Sequence, residues 1–153
     1  MPRDTLPARL PLQAIPLGLE RDRHVPKDNP LTEAKIELGR RLFFDPILSA
    51  NGTVSCASCH EPQHGFAGRT RFAAGIGGKR GHRNAPTLLN RAYGKAFFWD
   101  GRATTLEQQA LQPIASPLEM GSGVQAAVQR LQAHKEYPAR FRAVFSDGVT
   151  ADN

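Results

Sequence analysis

Cysteine is scarce in this chain of 153 residues, which contains only two. Two cysteines cannot build a disulfide framework, and they supply only half of a four-cysteine zinc site. Long apolar runs are also absent: no stretch could span a bilayer, and the amino terminus lacks the apolar region of a signal peptide. The sequence therefore predicts a folded domain without a membrane span, in which the two cysteines serve another chemistry.

Dense runs of one charge are missing too. The net charge of +6 comes from basic residues spread from Arg3 to Arg142, and aromatic residues make up only 7% of the chain. A nucleic-acid groove usually has clustered basic residues interleaved with aromatics. The composition argues against a nucleic-acid partner, and the basic balance suits haem propionates or an acidic redox partner.

The two cysteines stand three positions apart and are followed at once by a histidine, in Ser55-Cys56-Ala57-Ser58-Cys59-His60. This is the spacing of a c-type haem attachment site. Two thiols on one helical turn can form thioethers to the two vinyl groups of a porphyrin edge, and the adjacent imidazole can reach the iron. A zinc half-site, a redox dithiol and a structural disulfide are the alternatives, but only haem requires His60. The motif predicts one covalent haem c.

Helical spacing predicts a first helix over residues 32–44, ended by Asp45-Pro46, with Glu37 placed to pair with Arg41. A turn at residues 51–52 then precedes a short haem-binding helix. A glycine-rich loop follows to about residue 98. Twelve prolines and fourteen glycines agree with such irregular backbone, which needs an apolar face to wrap around.

Three more helices are predicted in the last third. Capping boxes at residues 104–107 and 122–125 open two of them, Pro113 ends the first, and Pro138 begins a last helix that carries Phe141 and Phe145. No β-hairpin signal is present, so the fold class is all-α: a cytochrome c-like haem domain with long irregular loops.

Five stretches occur along the chain in this order: Leu38-Gly39-Arg40-Arg41-Leu42-Phe43-Phe44-Asp45-Pro46, the haem motif, Arg83-Asn84-Ala85-Pro86-Thr87, Phe98-Trp99-Asp100-Gly101-Arg102 and Pro117-Leu118-Glu119-Met120. Together they resemble the amino-terminal, peroxidatic haem domain of the bacterial di-haem cytochrome c peroxidase family, which includes the quinone-forming enzyme of methylamine dehydrogenase maturation. The resemblance runs from about Leu31 to Phe145. It implies an arm over 1–30, the haem domain over 31–146, and a tail or start of a second haem domain over 147–153.

The resemblance implies roles for residues around the haem. His60 is the proximal iron ligand, Trp99 assists electron transfer between two haems, and the Asn84 side chain meets a calcium ion, which needs six to eight oxygen ligands in all. Phe98 and Pro113 contact the cofactor. Glu119 is the acid and base that moves a proton during O–O cleavage, and Gln109 orients peroxide.

Two departures from the family pattern matter. Many members have, in the glycine-rich loop, a histidine that caps the peroxidatic iron, and this chain has Ile76 there. Isoleucine cannot bind iron, which predicts a permanently open distal site. The nearby His64 and His82 are predicted to lie at the surface or on the propionate side. The second departure is that no second haem motif follows. Either the chain is the first half of a longer enzyme, or the second haem lies on another chain, or the protein works with one haem.

Peroxide reduction is the function that these residues predict, with a second haem or an external redox donor, such as a small cytochrome or cupredoxin, as electron source. The resemblance also allows a homodimer. The haem motif predicts a periplasmic location. One alternative is a mono-haem electron-transfer protein, in which Met120, the only internal methionine, is the sixth iron ligand. Another is a haem-sensing domain without turnover.

Overall fold

A computed structural model describes residues 15, 17–19 and 24–153. These residues form five α-helices and contain isolated β-bridges but no strand, which confirms the all-α fold. No helix among them has the length and apolar composition needed to cross a bilayer. The helices are α1 (Glu33–Phe44), α2 (Cys56–Cys59), α3 (Leu106–Ala115), α4 (Val124–Ala133) and α5 (Tyr137–Arg142).

Helix α1 follows the prediction closely. Its cap is Thr32, whose Oγ1 accepts a hydrogen bond from the Lys35 N–H at 3.2 Å. It ends before Asp45, where the following proline favours extended backbone. The predicted pair between Glu37 and Arg41 is present, at 3.6 Å.

The core lies between α1, α4 and α5. It includes the buried Leu38, Val128, Leu131 and Phe141. Arg130 attaches α4 to the turn after α1: its Nε donates to the Ile47 carbonyl at 2.9 Å and its Nη2 to the Leu48 carbonyl at 3.1 Å. Hydrogen bonds from a charged donor stabilise a fold by about 1.5–3 kcal/mol each, so this contact holds the segment that leads into α2.

A buried tyrosine supports the same segment. The Tyr137 hydroxyl donates to Asp45 Oδ2 at 2.7 Å, while Asp45 Oδ1 accepts from the Ile47 N–H at 2.9 Å. Burial, followed by the hydrogen bond to Asp45, raises the pKa of the Tyr137 phenol. The phenol therefore remains a neutral donor at physiological pH.

Two predicted boundaries of α3 are wrong. The cap is Thr105, one residue later than predicted: its Oγ1 accepts from the Gln108 N–H at 3.1 Å, and Gln108 Oε1 accepts from the Thr104 N–H at 3.1 Å. Pro113 does not end the helix, which continues to Ala115. Pro113 has no N–H to donate to the Gln109 carbonyl, so one hydrogen bond of the helix is missing, yet the chain stays helical for two more residues.

The starts and ends of the last two helices also differ in detail. The cap of α4 is Gly123 with a left-handed φ of 71°, not a Ser122 box; the Ser122 hydroxyl instead donates to the Gly123 carbonyl. Helix α5 contains Phe141 but ends at Arg142, before Phe145. Both phenylalanines nonetheless pack at the core, with ring centroids 6.1 Å apart.

The predicted arm, residues 1–30, falls largely outside the described residues. Its described end lies against the rest of the domain: the His24 N–H donates to the Ala92 carbonyl at 3.1 Å, and Asn29 Nδ2 donates to Glu107 Oε1 at 3.0 Å. Lys35 Nζ in turn donates to Asn29 Oδ1 at 2.8 Å. This segment therefore links α1 to α3.

Candidate haem-binding site

Helix α2 presents the two thiols. Its first turn is held by Ser55, whose N–H donates to Ser58 Oγ at 3.0 Å. Ala57 is fully buried, and α2 packs against α1. Residues three positions apart share one face of a helix, so Cys56 and Cys59 emerge side by side, and both are half-buried. This arrangement suits two thioethers to one porphyrin edge.

The His60 ring is oriented by two backbone carbonyls. Its Nδ1 lies 3.1 Å from the Phe66 oxygen and 3.0 Å from the Pro86 oxygen. Because a carbonyl can only accept, Nδ1 carries the proton and Nε2 is left with a lone pair. Histidines that bind metals are typically oriented by such a hydrogen bond on the other nitrogen.

A tight turn brings the Phe66 carbonyl back to His60. Gly65 and Phe66 both have left-handed backbone, with φ of 63° and 58°. For Phe66 this conformation is unfavourable, and a hydrogen bond from its N–H to the Glu61 carbonyl at 2.9 Å supports it. The Thr87 hydroxyl donates to the Gly65 carbonyl. The turn at residues 65–66 and the segment 86–87 therefore hold the His60 ring together, through the two carbonyls that contact Nδ1.

The electrostatics of the two thiols do not favour a redox dithiol. Burial raises the pKa of Cys56 to about 11, and burial, followed by the charges of Glu119 and Glu61, raises that of Cys59. A redox dithiol needs the opposite shift, toward the thiolate. The two cysteines form no disulfide, and no cluster of three metal-binding side chains occurs within the described part of the chain. The donor set fits haem c.

Glu119 lies near Cys59, since the Cys59 thiol is 3.7 Å from the Ala74 carbonyl oxygen and the adjacent Gly75 lies against the backbone of Glu119; the charge of Glu119 also helps to raise the pKa of that thiol. Its backbone is anchored: the Ile76 N–H donates to the Glu119 carbonyl at 2.7 Å, and the Glu119 N–H donates to the Ser116 carbonyl at 3.1 Å. Lys79 Nζ also donates to the Pro117 carbonyl at 3.2 Å. The glycine-rich turn and the segment around Glu119 therefore form one unit.

Gly75 makes this close approach possible. A β-carbon there would lie 1.9 Å from the Leu118 oxygen and 2.8 Å from Glu119 Cα. The side chain of the next residue, Ile76, is half-buried, packs on the core and lies over Gly121. The residue at the position of the expected capping histidine is thus part of the packing.

We expect Gly75→Ala to displace Glu119 and to slow the reaction of the haem-loaded protein with peroxide by about 10²-fold, the usual effect of a misplacement of about 1 Å at a reacting group. Haem attachment should be unchanged. Gly81→Ala is the matched control, since a β-carbon at Gly81 meets nothing within 4 Å. Stopped-flow mixing with peroxide measures both. Equal rates in the two variants would show that Gly75 does not position Glu119.

Gln109 and Pro113 lie four positions apart, on one face of α3. Gln108 and Gln112 are engaged by Thr104 and Arg102, whereas the half-buried Gln109 side chain makes no hydrogen bond to another described residue. The Pro113 carbonyl accepts from the Met120 N–H at 3.2 Å. That bond ties α3 to the Glu119 segment.

Asn84 and Trp99 are brought together by the indole N–H, which donates to the Asn84 carbonyl at 3.0 Å. Trp99 is 65% exposed, so it is not a core tryptophan. The Asn84 Nδ2 donates to the carbonyls of Gly68 and Thr70, at 2.9 and 2.7 Å. With both amide protons used, Oδ1 is the atom of this side chain that remains for a ligand.

An arginine stacks on the ring of Phe98. The guanidinium carbon of Arg102 lies 3.4 Å from the ring centroid, and Phe98 itself has a left-handed φ of 67°. Asp100 accepts from Arg83 and Arg102, both at 2.8 Å. Hydrogen bonds from Arg83 and then Arg102 lower the pKa of Asp100 to about 2.

His64, His82 and Met120 each have a position or a ligand role that the sequence predicts. His64 and His82 are exposed, in agreement with the prediction. Met120 is only 3% exposed and belongs to the hydrophobic core cluster. Its packing gives no support to iron ligation by this residue. The sequence does not predict that the carbonyls of Phe66 and Pro86 orient His60. No motif marks the Phe66 carbonyl, whereas Pro86 lies within the Asn-Ala-Pro motif.

A helix bearing Cys-x-x-Cys-His, with an oriented histidine in an all-α domain of long loops, defines a c-type haem domain. Within that class the chain belongs to the di-haem cytochrome c peroxidase family, whose family model matches residues 33–153. This confirms the resemblance identified in the sequence.

Individual relatives agree. The chain is 48% identical over 120 residues to the methylamine utilization protein MauG of Methylorubrum extorquens, covering 78% of this chain and 34% of that protein. It is 45% identical over 117 residues to the cytochrome c551 peroxidase of Nitrosomonas europaea, with coverages of 76% and 35%. A solved MauG-like protein associated with microbial copper homeostasis matches with a TM-score of 0.77 and 35% identity, over 94% of this chain and 41% of that one. The chain spans about a third of the length of the curated relatives it matches.

Proposed function

We propose that this chain forms the peroxide-reducing haem unit of a cytochrome c peroxidase. The observation that supports the proposal is that a histidine oriented for iron and the backbone-anchored segment of Glu119 both lie beside Cys59. One covalent haem would be held by Cys56, Cys59 and His60. Haem c attachment of this kind favours a periplasmic location.

The overall reaction takes two electrons and two protons and converts one hydrogen peroxide into two waters. The haem, when bound, supplies an iron that coordinates peroxide and passes on electrons. Glu119 would accept a proton from one oxygen of peroxide and return it to the other oxygen, which leaves as water. The Gln109 amide donates a hydrogen bond that orients peroxide, and Pro113 and Phe98 contribute apolar contacts to the cofactor.

Calcium is a second proposed ligand. Asn84 Oδ1 is one oxygen of the six to eight that the ion requires, and water, backbone carbonyls or a second domain would supply the rest. We expect Asn84→Ala to lose bound calcium in elemental analysis of the haem-loaded protein. Equal calcium in both proteins would contradict this role.

The haem unit that we propose extends over residues 31–146, with residues 1–30 as an arm. Val149, in the segment 147–153, is buried in the core, and Gln132 Nε2 donates to its carbonyl at 2.9 Å. The segment would thus be the connection to a second haem domain, packed on the first.

We expect Trp99→Phe to slow electron delivery and to leave the affinity for cyanide unchanged, because the indole is exposed and its N–H holds the Asn84 carbonyl. The comparison is made in a complex that contains a second haem. Leu89→Ala, at another exposed apolar residue, is the control. Turnover equal to that of the native protein would reduce Trp99 to a packing residue.

The function is tested by steady-state turnover of the haem-loaded protein with tetramethylphenylenediamine, a largely uncharged one-electron donor. Two donors oxidised for each peroxide consumed would match the proposed stoichiometry. Binding of peroxide without donor oxidation would instead assign the chain to haem sensing.

A further inference from the structure

The two carbonyls that orient His60 belong to segments that are far apart in the chain. The Phe66 oxygen lies 3.1 Å from Nδ1, and the Pro86 oxygen lies 3.0 Å from it. The single N–H of this nitrogen is therefore shared between an acceptor on the turn after the haem motif and an acceptor 26 residues away from His60. The direction and strength of the hydrogen bond at Nδ1 depend on how these two segments are held against each other.

The Phe66 carbonyl is fixed by contacts on both sides of its residue. The ring of Phe66 packs on that of Phe43 in α1, with centroids 6.0 Å apart. The Phe66 N–H donates to the Glu61 carbonyl at 2.9 Å, and the Ala67 N–H donates to the His64 carbonyl at 3.2 Å. The left-handed conformation, which is unfavourable for phenylalanine, persists because the surrounding contacts determine it.

One side chain joins this turn directly to the second segment. The Thr87 hydroxyl donates to the Gly65 carbonyl, and Thr87 directly follows Pro86 in the chain. Apart from the bonds to the His60 ring, no other hydrogen bond links residues 65–66 to residues 86–87 in the part of the chain that the structure describes. Thr87 therefore fixes the spacing between the two acceptors.

An ordinary turn role accounts for only half of the hydrogen bonding of Thr87. The Leu89 N–H donates to Thr87 Oγ1 at 3.2 Å, which is a local turn contact of the kind that threonine often makes. That contact uses a lone pair of the oxygen and leaves the hydroxyl proton for another acceptor. The proton is directed to Gly65, 22 residues away in the chain, in the turn that supports His60.

Acceptors held at Nδ1 change the strength of Nε2 as an iron ligand. A hydrogen bond from the other ring nitrogen raises the basicity of an imidazole that binds a metal. A more basic ligand stabilises ferric iron over ferrous iron and so lowers the reduction potential. Hydrogen bonding around the axial ligand is one of the means by which a protein sets the potential of a haem.

We propose that Thr87 is a positioning residue for the iron ligand: it holds the Phe66 and Pro86 carbonyls on Nδ1 and thereby keeps the reduction potential of the haem low. This role rests on the proposed function of His60 as the iron ligand. It concerns the strength of that ligand and does not depend on the reaction with peroxide.

Thr87→Val in the haem-loaded protein tests this role, since valine keeps the branched shape and removes the hydroxyl. We expect the equilibrium to shift toward ferrous iron by about tenfold, at the lower end of the effects of residues that support a metal ligand, or about 59 mV for a one-electron couple. Thr87→Ser, which keeps the hydroxyl, should restore the native potential. Spectroelectrochemical titration measures all three proteins.

A second readout separates positioning of the ligand from a general effect on stability. Resonance Raman spectroscopy of the ferrous protein records the iron–histidine stretching band, whose frequency rises with the strength of the hydrogen bond at Nδ1. We expect a lower frequency in Thr87→Val and the native frequency in Thr87→Ser. A loss of stability that leaves the two carbonyls in place would not move this band.

Thr70→Val is the matched control. Thr70 is exposed, as Thr87 is, and its hydroxyl donates to the Phe72 carbonyl at 2.8 Å, within the same long loop but not to residues 65–66 or 86–87. We expect the native potential and the native iron–histidine band in this variant. If Thr87→Val does not retain haem, Thr87→Ala takes its place, because truncation of an exposed side chain leaves no buried cavity.

Native values of the potential and the band in Thr87→Val would overturn the proposal. So would equal shifts in Thr70→Val, or a shift in Thr87→Ser as large as that in Thr87→Val. If the native protein oxidises its donor and Thr87→Val has the native potential, the peroxidase function stands and the positioning role is wrong. If Thr87→Val shifts the potential and the native protein oxidises no donor, the positioning role stands and the peroxidase function is wrong.

Discussion

A haem signal that survives denaturing electrophoresis should disappear completely from the double variant Cys56→Ala/Cys59→Ala. The two half-buried thiols on α2 are the only cysteines in the chain, so no other side chain can form thioethers. Each single variant should keep a weaker haem signal through one remaining bond. His60→Ala should lose iron coordination even where a thioether remains, because Nε2 is the nitrogen left open by the carbonyls of Phe66 and Pro86.

Ser58→Ala is a suitable control for this experiment. It alters the same helical turn, in which Ser58 Oγ accepts from the Ser55 N–H, but removes no thiol. We expect its haem signal to equal that of the native protein. Covalent haem in the double cysteine variant, or zinc in place of haem in the native protein, would contradict the assignment of this site.

Glu119→Gln should slow the single-turnover reaction with peroxide by about 10²- to 10⁴-fold, corresponding to roughly 3 to 5 kcal/mol of barrier. The substitution keeps the shape of the side chain and removes the group that accepts and returns a proton. The backbone anchor through the Ile76 N–H does not involve the carboxylate, so the fold and haem attachment should persist.

Glu61→Gln provides a closely matched control. Glu61 also affects the Cys59 thiol electrostatically, but it directly follows His60 in the chain, at the histidine end of the haem motif. Asp100 is a poor competitor for the role: held at a pKa of about 2, first by Arg83 and then by Arg102, it remains ionised at neutral pH and cannot donate a proton. We expect Glu61→Gln to react within about threefold of native, well below the usual acid–base effect. Equal rates in the two glutamine variants would leave Glu119 without a role in proton transfer.

The parts of the site that are contiguous in sequence could be predicted. The haem motif needs only one helical turn, and helix α1 has local signals at both ends, Thr32 and Asp45-Pro46. The order of the five family motifs led to the family itself, which the matched model confirms.

The contacts that complete the site depend on long-range geometry and could not be predicted. Phe66 turns its carbonyl toward His60 through a left-handed conformation that its residue type does not favour. The fit of Gly75 against the Leu118 carbonyl joins residues far apart in the chain. Pro113 predicts a helix stop from its residue type alone. The return of the chain, in which the Met120 N–H donates to the Pro113 carbonyl, has no local signal in the sequence.

An absorption spectrum of the ferric, haem-loaded protein tests the central claim most directly. The claim is that the iron, bound by His60, faces an open distal side next to Glu119, where Ile76 supplies no ligand. We predict a high-spin ferric spectrum that cyanide converts to low-spin without prior reduction, since no side chain has to be displaced. A low-spin ferric spectrum that Met120→Ala converts to high-spin would contradict the claim and would identify an electron-transfer cytochrome with His and Met ligands.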